Sequence, residues 1–131
     1  MVERTKVILG YTLMAALMAA PASAADPAGV WLTPPDHKGQ TAHVVAKKCG
    51  AGFCGTITEV FDPQGNKIAG KNVGVRVFWD MKPVAGGYEG RAFVPAYGQE
   101  YKGRIVIEGD RMKVSGCAGP ICKGQVWRRV R

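Results

Sequence analysis

A chain of 131 residues is the size of one domain, and a composition of 47% hydrophobic and 21% charged residues excludes a disordered or low-complexity protein. Eighteen Lys and Arg against ten Asp and Glu leave a formal charge of +8, so the partners expected at its surface are anions.

The first segment reads as an export signal. Arg4 and Lys6 precede an apolar run from Val7 to Met18, and Pro21 and the small-residue triplet Ala22-Ser23-Ala24 follow. A charged start, an apolar segment of about 7–15 residues and an A-x-A site are the parts of a secretory signal peptide. The alternative is an uncleaved anchor, because the apolar stretch approaches the lower limit of about 17 residues for crossing a bilayer. Pro21 and the Ala-Ser-Ala site favour cleavage after Ala24, leaving residues 25–131 as a single mature domain. The first cysteine is Cys49, far from the cut, which disfavours a lipid anchor. Membrane contact is then expected only through the leader, before its removal.

Helix signals are nearly absent after Asp26. The longest stretch there without Gly or Pro, Thr41–Cys49, is short and β-branched. Strand alternation is plain instead, and eight strands are expected near residues 29–33, 41–48, 53–61, 72–81, 87–94, 99–108, 111–116 and 124–130. Turn residues separate them, as in Gly50-Ala51-Gly52, Gly86-Gly87, Gly109-Asp110 and Ala118-Gly119-Pro120. In the fourth run Val73, Val75, Val77, Trp79 and Met81 share one face. In the sixth, Tyr101, Gly103, Ile105 and Ile107 do. Eight consecutive hairpin-linked strands predict an all-β, antiparallel up-and-down barrel, which leaves no exposed sheet edge; a two-sheet sandwich is the alternative.

The cysteines come as Cys49-Gly-Ala-Gly-Phe-Cys54 and Cys117-Ala-Gly-Pro-Ile-Cys122. Export to an oxidising compartment makes disulfides the first reading, and each pair brackets a Gly-containing turn, so two local bridges are expected. Zinc would need partners beyond His37 and His43, which lie together near the start, and a redox centre would show C-x-x-C.

Several segments in order resemble the domain of unknown function 2147 family of small exported bacterial proteins. They are Gly29-Val30-Trp31, Phe53-Cys54-Gly55-Thr56-Ile57, Gly98-Gln99-Glu100-Tyr101, Gly116-Cys117 and Gln125-Val126-Trp127-Arg128-Arg129. The resemblance implies a lipocalin-like (calycin-like) eight-stranded barrel, periplasmic or secreted, without an established activity. Two departures stand out: Val94 occupies the place before Pro95 where the family has an aspartate, and the segment between Phe61 and Asn72 is short. The Gly-x-Trp start and the late arginine also resemble lipocalins generally, where such a pair closes one barrel end. Trp31 and Arg129 are the matching positions, with Arg128 as the fallback.

Chemistry is sparse. Ser115 is the one serine of the mature chain and lacks a Gly-x-Ser-x-Gly turn, and no phosphate-binding or haem-attachment motif, hence no cofactor, is evident. Glu59 is placed inward with Gly55, Ile57 and Phe61, as a carboxylate paired with a basic group such as Arg129 rather than as an acid or base. Export argues against nucleic acid. Anionic envelope polymers or phospholipid head groups are the better counter-charges, and inhibition of a cationic lysozyme is disfavoured by like charge. The inward set then carries the functional expectation. Trp79, Tyr88, Tyr101, Ile105, Met112, Gln125 and Trp127 would line a cavity, with small residues such as Gly55, Gly90, Ala92 and Gly103 leaving room. The protein is expected to be a non-enzymatic binder of a small apolar or amphiphilic, anionic molecule; the competing account is a filled barrel acting through its basic surface.

Overall fold

The computed structural model describes residues 26–131; the expected leader, residues 1–24, lies outside the described residues. The described chain forms β1 (Gly29–Leu32), β2 (Thr41–Cys49), β3 (Gly52–Phe61), β4 (Lys67–Ile68), β5 (Arg76–Val84), β6 (Gly87–Val94), β7 (Gln99–Glu108), β8 (Arg111–Ala118) and β9 (Ile121–Arg129). Sequential antiparallel pairing runs from β5 through β9, β9 pairs β1, β1 pairs β2, and β2 pairs β3, which returns to β5. This is a closed barrel of eight strands, with the two-residue β4 added on β3. The sandwich alternative is excluded by that closure.

Because strands alternate in direction, every turn belongs to one of two ends. One end carries the start of β1, the β2–β3, β5–β6 and β7–β8 turns and the finish of β9. The other carries the β1–β2 loop, the β3–β5 connection with β4, the β6–β7 loop and the β8–β9 turn.

The period-2 readings hold through β2, β6, β7 and β8, where large apolar positions fall inward as alternation demands. Val44, Ile105 and Met112 are fully buried, and Ala42, Ala46 and Tyr88 join them in the core. Three irregularities shift the rest. In β3 the register slips between His43 and Val44 of β2, leaving Thr58 without an opposite residue. Val60 consequently turns inward and Glu59 outward, contrary to the inward placement expected of Glu59. In β5 the pairing with β6 skips from Trp79–Arg91 to Lys82–Glu89, so Asp80 and Met81 together oppose one residue. Asp80 has φ 53°, a conformation that an L side chain resists. Its neighbours accommodate it: a Cβ on Gly52 would lie 3.0 Å from the Asp80 backbone, and one on Gly90 would lie 2.5 Å from its carbonyl oxygen.

The third irregularity, Val77 standing between the Gly55–Phe78 and Thr56–Arg76 pairs, joins the Asp80 bulge in correcting β5 itself. Phe78, not Trp79, is the fully buried ring, opposite inward Ala92 on β6. Trp79 pairs with exposed Arg91 and is half-buried on the outer face. The strand begins at Arg76 rather than near residue 72, because Gly74 at φ 88° turns the chain there and leaves Val73 exposed. β9 begins three residues earlier than expected, at Ile121, because the Cys117–Cys122 pair keeps the hairpin in register to its tip.

Candidate functional site

The end where β1 begins is plugged by the pair that the lipocalin resemblance singled out. Trp31 is fully buried, opposite Arg129 in the β1–β9 register. The Arg129 guanidinium lies 4.3 Å from the Trp31 ring centre, within cation–π range. It also donates to the Ala28 carbonyl at 2.7 Å, while the Trp31 indole N–H donates to the Pro27 carbonyl at 2.8 Å. One arginine thus ties the first described residues, the first strand and the last strand together. Gly29, at φ 139°, is what lets the chain pass: a Cβ there would meet Arg129 Nη1 at 2.6 Å and the Arg131 carbonyl at 2.7 Å. Arg128 is exposed and faces outward. Nearby, Tyr88 stacks edge-on against Phe53 at 5.7 Å, and burial pushes its hydroxyl pKa up, with the Asp26 charge adding to the shift.

The glycines expected to hollow the barrel are occupied by their neighbours. The Phe78 ring lies directly over Gly55, leaving no space for even a Cβ. Met81 Cε fills the place above Gly103, and the Asp80 bulge sits on Gly90. Small inward residues here receive large ones from across the sheet, so the middle of the barrel is packed rather than hollow. The cavity inferred from those glycines is corrected accordingly.

The other end is different. Ile105, Met112 and Trp127 form an apolar floor, Trp127 being 5% exposed. Beyond it the same inward faces carry Tyr101, Val114 and Gly116, all half-buried, and Gln125 and Lys123, both exposed. The Trp127 indole donates to Gln125 Oε1 at 3.0 Å, and the Tyr101 hydroxyl to Gln99 Oε1 at 3.4 Å. Tyr101 rests on Gly116, where a Cβ would make ordinary contacts of 3.4–3.6 Å. The wall on this side is also incomplete. β1 pairs β9 only at Trp31–Arg129 and Leu32–Arg128, so among the described residues no strand covers the outer edge of β9 from Ile121 to Val126. Of the seven residues expected to line a cavity, Tyr88, Ile105, Met112 and Trp127 are core. Tyr101 and Gln125 stand at this mouth, and Trp79 is outside. Phe78, missed by alternation, is the residue that decides how full the barrel is. The unbroken apolar run Val77-Phe78-Trp79, followed by Asp80, was its signal.

The outer surface holds the charged groups. Glu59 pairs with His43 at 3.5 Å rather than with Arg129, and Glu89 with Arg104 at 3.0 Å and Lys102 at 3.6 Å. Beside Glu59 a shallow open groove is lined by Thr58, Lys67, Ile68, Gly70 and Val73. His37 is exposed in the β1–β2 loop, apart from His43. The cysteines are joined as the two local pairs expected, Cys49–Cys54 with Cα atoms 5.7 Å apart and Cys117–Cys122 with Cα atoms 4.1 Å apart.

An antiparallel eight-stranded barrel, stoppered at one end by a tryptophan–arginine stack and open at the other, is lipocalin-like. It is similar over its fold to protein HP1028 from the human pathogen Helicobacter pylori, described as belonging to the lipocalin family. The TM-score is 0.63 at 17% identity, over 81% of this chain and 84% of that one. The chain itself belongs to the family of uncharacterized proteins conserved in bacteria known as DUF2147, whose model matches residues 29–129. No curated protein matches it.

Proposed function

We propose that this protein is a non-enzymatic, exported binder of a small apolar or amphiphilic, anionic molecule, held at the open mouth rather than deep inside the barrel. The observation that carries this reading is the contrast along the inward faces. Ile105, Met112 and Trp127 are buried, whereas Val114 and Gln125, one inward position beyond Met112 and Trp127, and Tyr101, two beyond Ile105, remain partly or wholly exposed. An apolar floor with a few polar groups above it is the usual form of a small-molecule site. Trp127 and Val114 would meet the apolar part; the Tyr101 hydroxyl, the Gln125 amide and the Lys123 ammonium would meet the polar end. The two disulfides and the Ala-Ser-Ala motif support an address outside the cytoplasm, in the periplasm or beyond. The test is titration of the purified mature protein with a fluorescent fatty-acid-like probe, following the emission of a Trp79→Phe background, in which Trp127 and the plug residue Trp31 remain, against that of Trp79→Phe/Trp127→Phe. Binding tighter than about 100 μM, roughly −5.5 kcal/mol, is expected, and its absence across a panel of amphiphiles overturns the reading.

The packing favours one competing reading. With Phe78 over Gly55 and Met81 over Gly103, the barrel also suits a filled scaffold that acts through its basic surface. A mouth variant separates the two: Gln125→Leu should change probe affinity if the mouth is the site and leave it unchanged if only the surface binds.

A further inference from the structure

We infer that the open end docks on a bilayer surface carrying anionic phospholipid head groups. Three of the six exposed large apolar residues among those described lie on three separate connections of this one end. Val73 is 45% exposed before β5, Tyr97 63% exposed in the β6–β7 loop, and Ile121 67% exposed at the β8–β9 tip. Basic side chains accompany them. Lys71 lies two residues before Val73, Lys123 lies two residues after Ile121, and both are exposed. Among the described residues neither is in an ion pair, whereas this end's carboxylates are held locally. Asp36 accepts from the Lys38 and Gln40 amides, Asp62 from the Gln64 and Asn66 amides, Glu59 pairs with His43, and Glu100 pairs with Arg91. The Gln40 amide above all lowers the Asp36 pKa; burial opposes it, and the Lys38 amide adds a smaller lowering.

Apolar tips with lysines outside any ion pair behind them match the two layers of a membrane face, acyl chains beneath anionic head groups, and an amphipathic Tyr suits the boundary. The Cys117–Cys122 pair fits this use. It staples a hairpin whose outer edge has no strand partner among the described residues, and so holds Ile121 out from the barrel. A protein resting on this end would open its mouth toward the membrane, but docking does not depend on the mouth binding anything.

The experiment is co-sedimentation of the mature protein with vesicles of equal parts phosphatidylglycerol and phosphatidylcholine, and with phosphatidylcholine vesicles alone. Binding to the anionic vesicles is expected, weakening with salt. The double variant Tyr97→Ser/Ile121→Ser should lower it by about tenfold or more, as should Lys71→Gln/Lys123→Gln. Val130→Ser, as exposed as Val73 but at the opposite end, and Arg111→Gln/Lys113→Gln on the outer wall should leave it unchanged, and melting temperatures confirm that each variant folds. No binding to anionic vesicles overturns the proposal. So does binding that the outer-wall pair reduces and the rim pairs do not, or a dimer in solution that the rim pairs dissolve. A parallel titration with decanoate below its micelle concentration reads the mouth separately: decanoate binding without vesicle binding defeats docking alone, and the reverse defeats only the ligand reading.

Discussion

Each end of the barrel carries one disulfide-stapled hairpin and buried or exposed aromatic side chains, yet the two ends are built to opposite effect. At the closed end Trp31, Arg129 and Gly29 lock the first strand to the last, and large side chains lie over inward glycines. At the open end β1 has already left β9, polar side chains stand on the inward faces, and apolar residues point from the loops. The lesson is that one alternation pattern yields either a plug or a mouth, depending on what crosses the barrel to meet each inward position.

The largest expected effect strikes the plug. Trp31→Ala removes a fully buried indole and should cost about 3–5 kcal/mol, read as a lower urea midpoint. A glycine pair comes next. Gly55→Ala pushes a Cβ into the Phe78 ring and should destabilise by about 1–3 kcal/mol, whereas Gly116→Ala at the mouth meets Tyr101 at ordinary distance and should be near neutral. Equal losses would erase the distinction between the packed and open halves.

The two disulfides sharpen the comparison further. Both close loops with a sequence separation of 5, so the unfolded-state entropy, about 2 kcal/mol in the chain model, is the same for each. Any difference between Cys49→Ser/Cys54→Ser and Cys117→Ser/Cys122→Ser therefore reports on the folded protein. Hydrogen exchange should show fraying of residues 117–125 only in the second variant, because that hairpin has one edge unpaired among the described residues. Arg129→Ala should lower stability by about 0.5–2 kcal/mol and Arg128→Ala hardly at all, by thermal melting. The smallest effect is on pH. Tyr88 has a raised pKa, so its neutral form contributes stability that is fully present below the ordinary tyrosine value and lost as pH rises from there through the raised one. Tyr88→Phe should flatten the alkaline limb of the stability profile relative to the unaltered protein.

Much of this was legible in the sequence. The strand count, the hairpin order, the cysteine pairing and the Trp31–Arg129 contact follow from alternation, turn residues, spacing and the lipocalin resemblance. The errors cluster at the bulges. Added residues at Thr58 in β3 and at Val77 and Asp80 in β5 switch the faces on either side of them, and period-2 reasoning cannot see an insertion that leaves the alternation of residue types intact. Glu59 and Trp79 were misplaced for that one reason. The fullness of the barrel was illegible for another: a glycine marks missing volume in its own strand, and only the three-dimensional neighbour, Phe78 or Met81, says who fills it.

The central claim is that ligand enters one end and stops above a packed core, and the tryptophans report on it directly. Trp31 lies in the plug, Trp79 on the outer wall and Trp127 at the floor of the mouth, with Trp127 bonded through its indole N–H to Gln125. Their indole N–H resonances, assigned with Trp79→Phe and Trp127→Phe variants, can be followed together in one nitrogen–proton correlation spectrum during titration with an anionic amphiphile. The account predicts that the Trp127 signal moves and saturates while those of Trp31 and Trp79 stay in place. Movement of Trp31 as large as that of Trp127, or no movement of Trp127 at saturating probe, would contradict it.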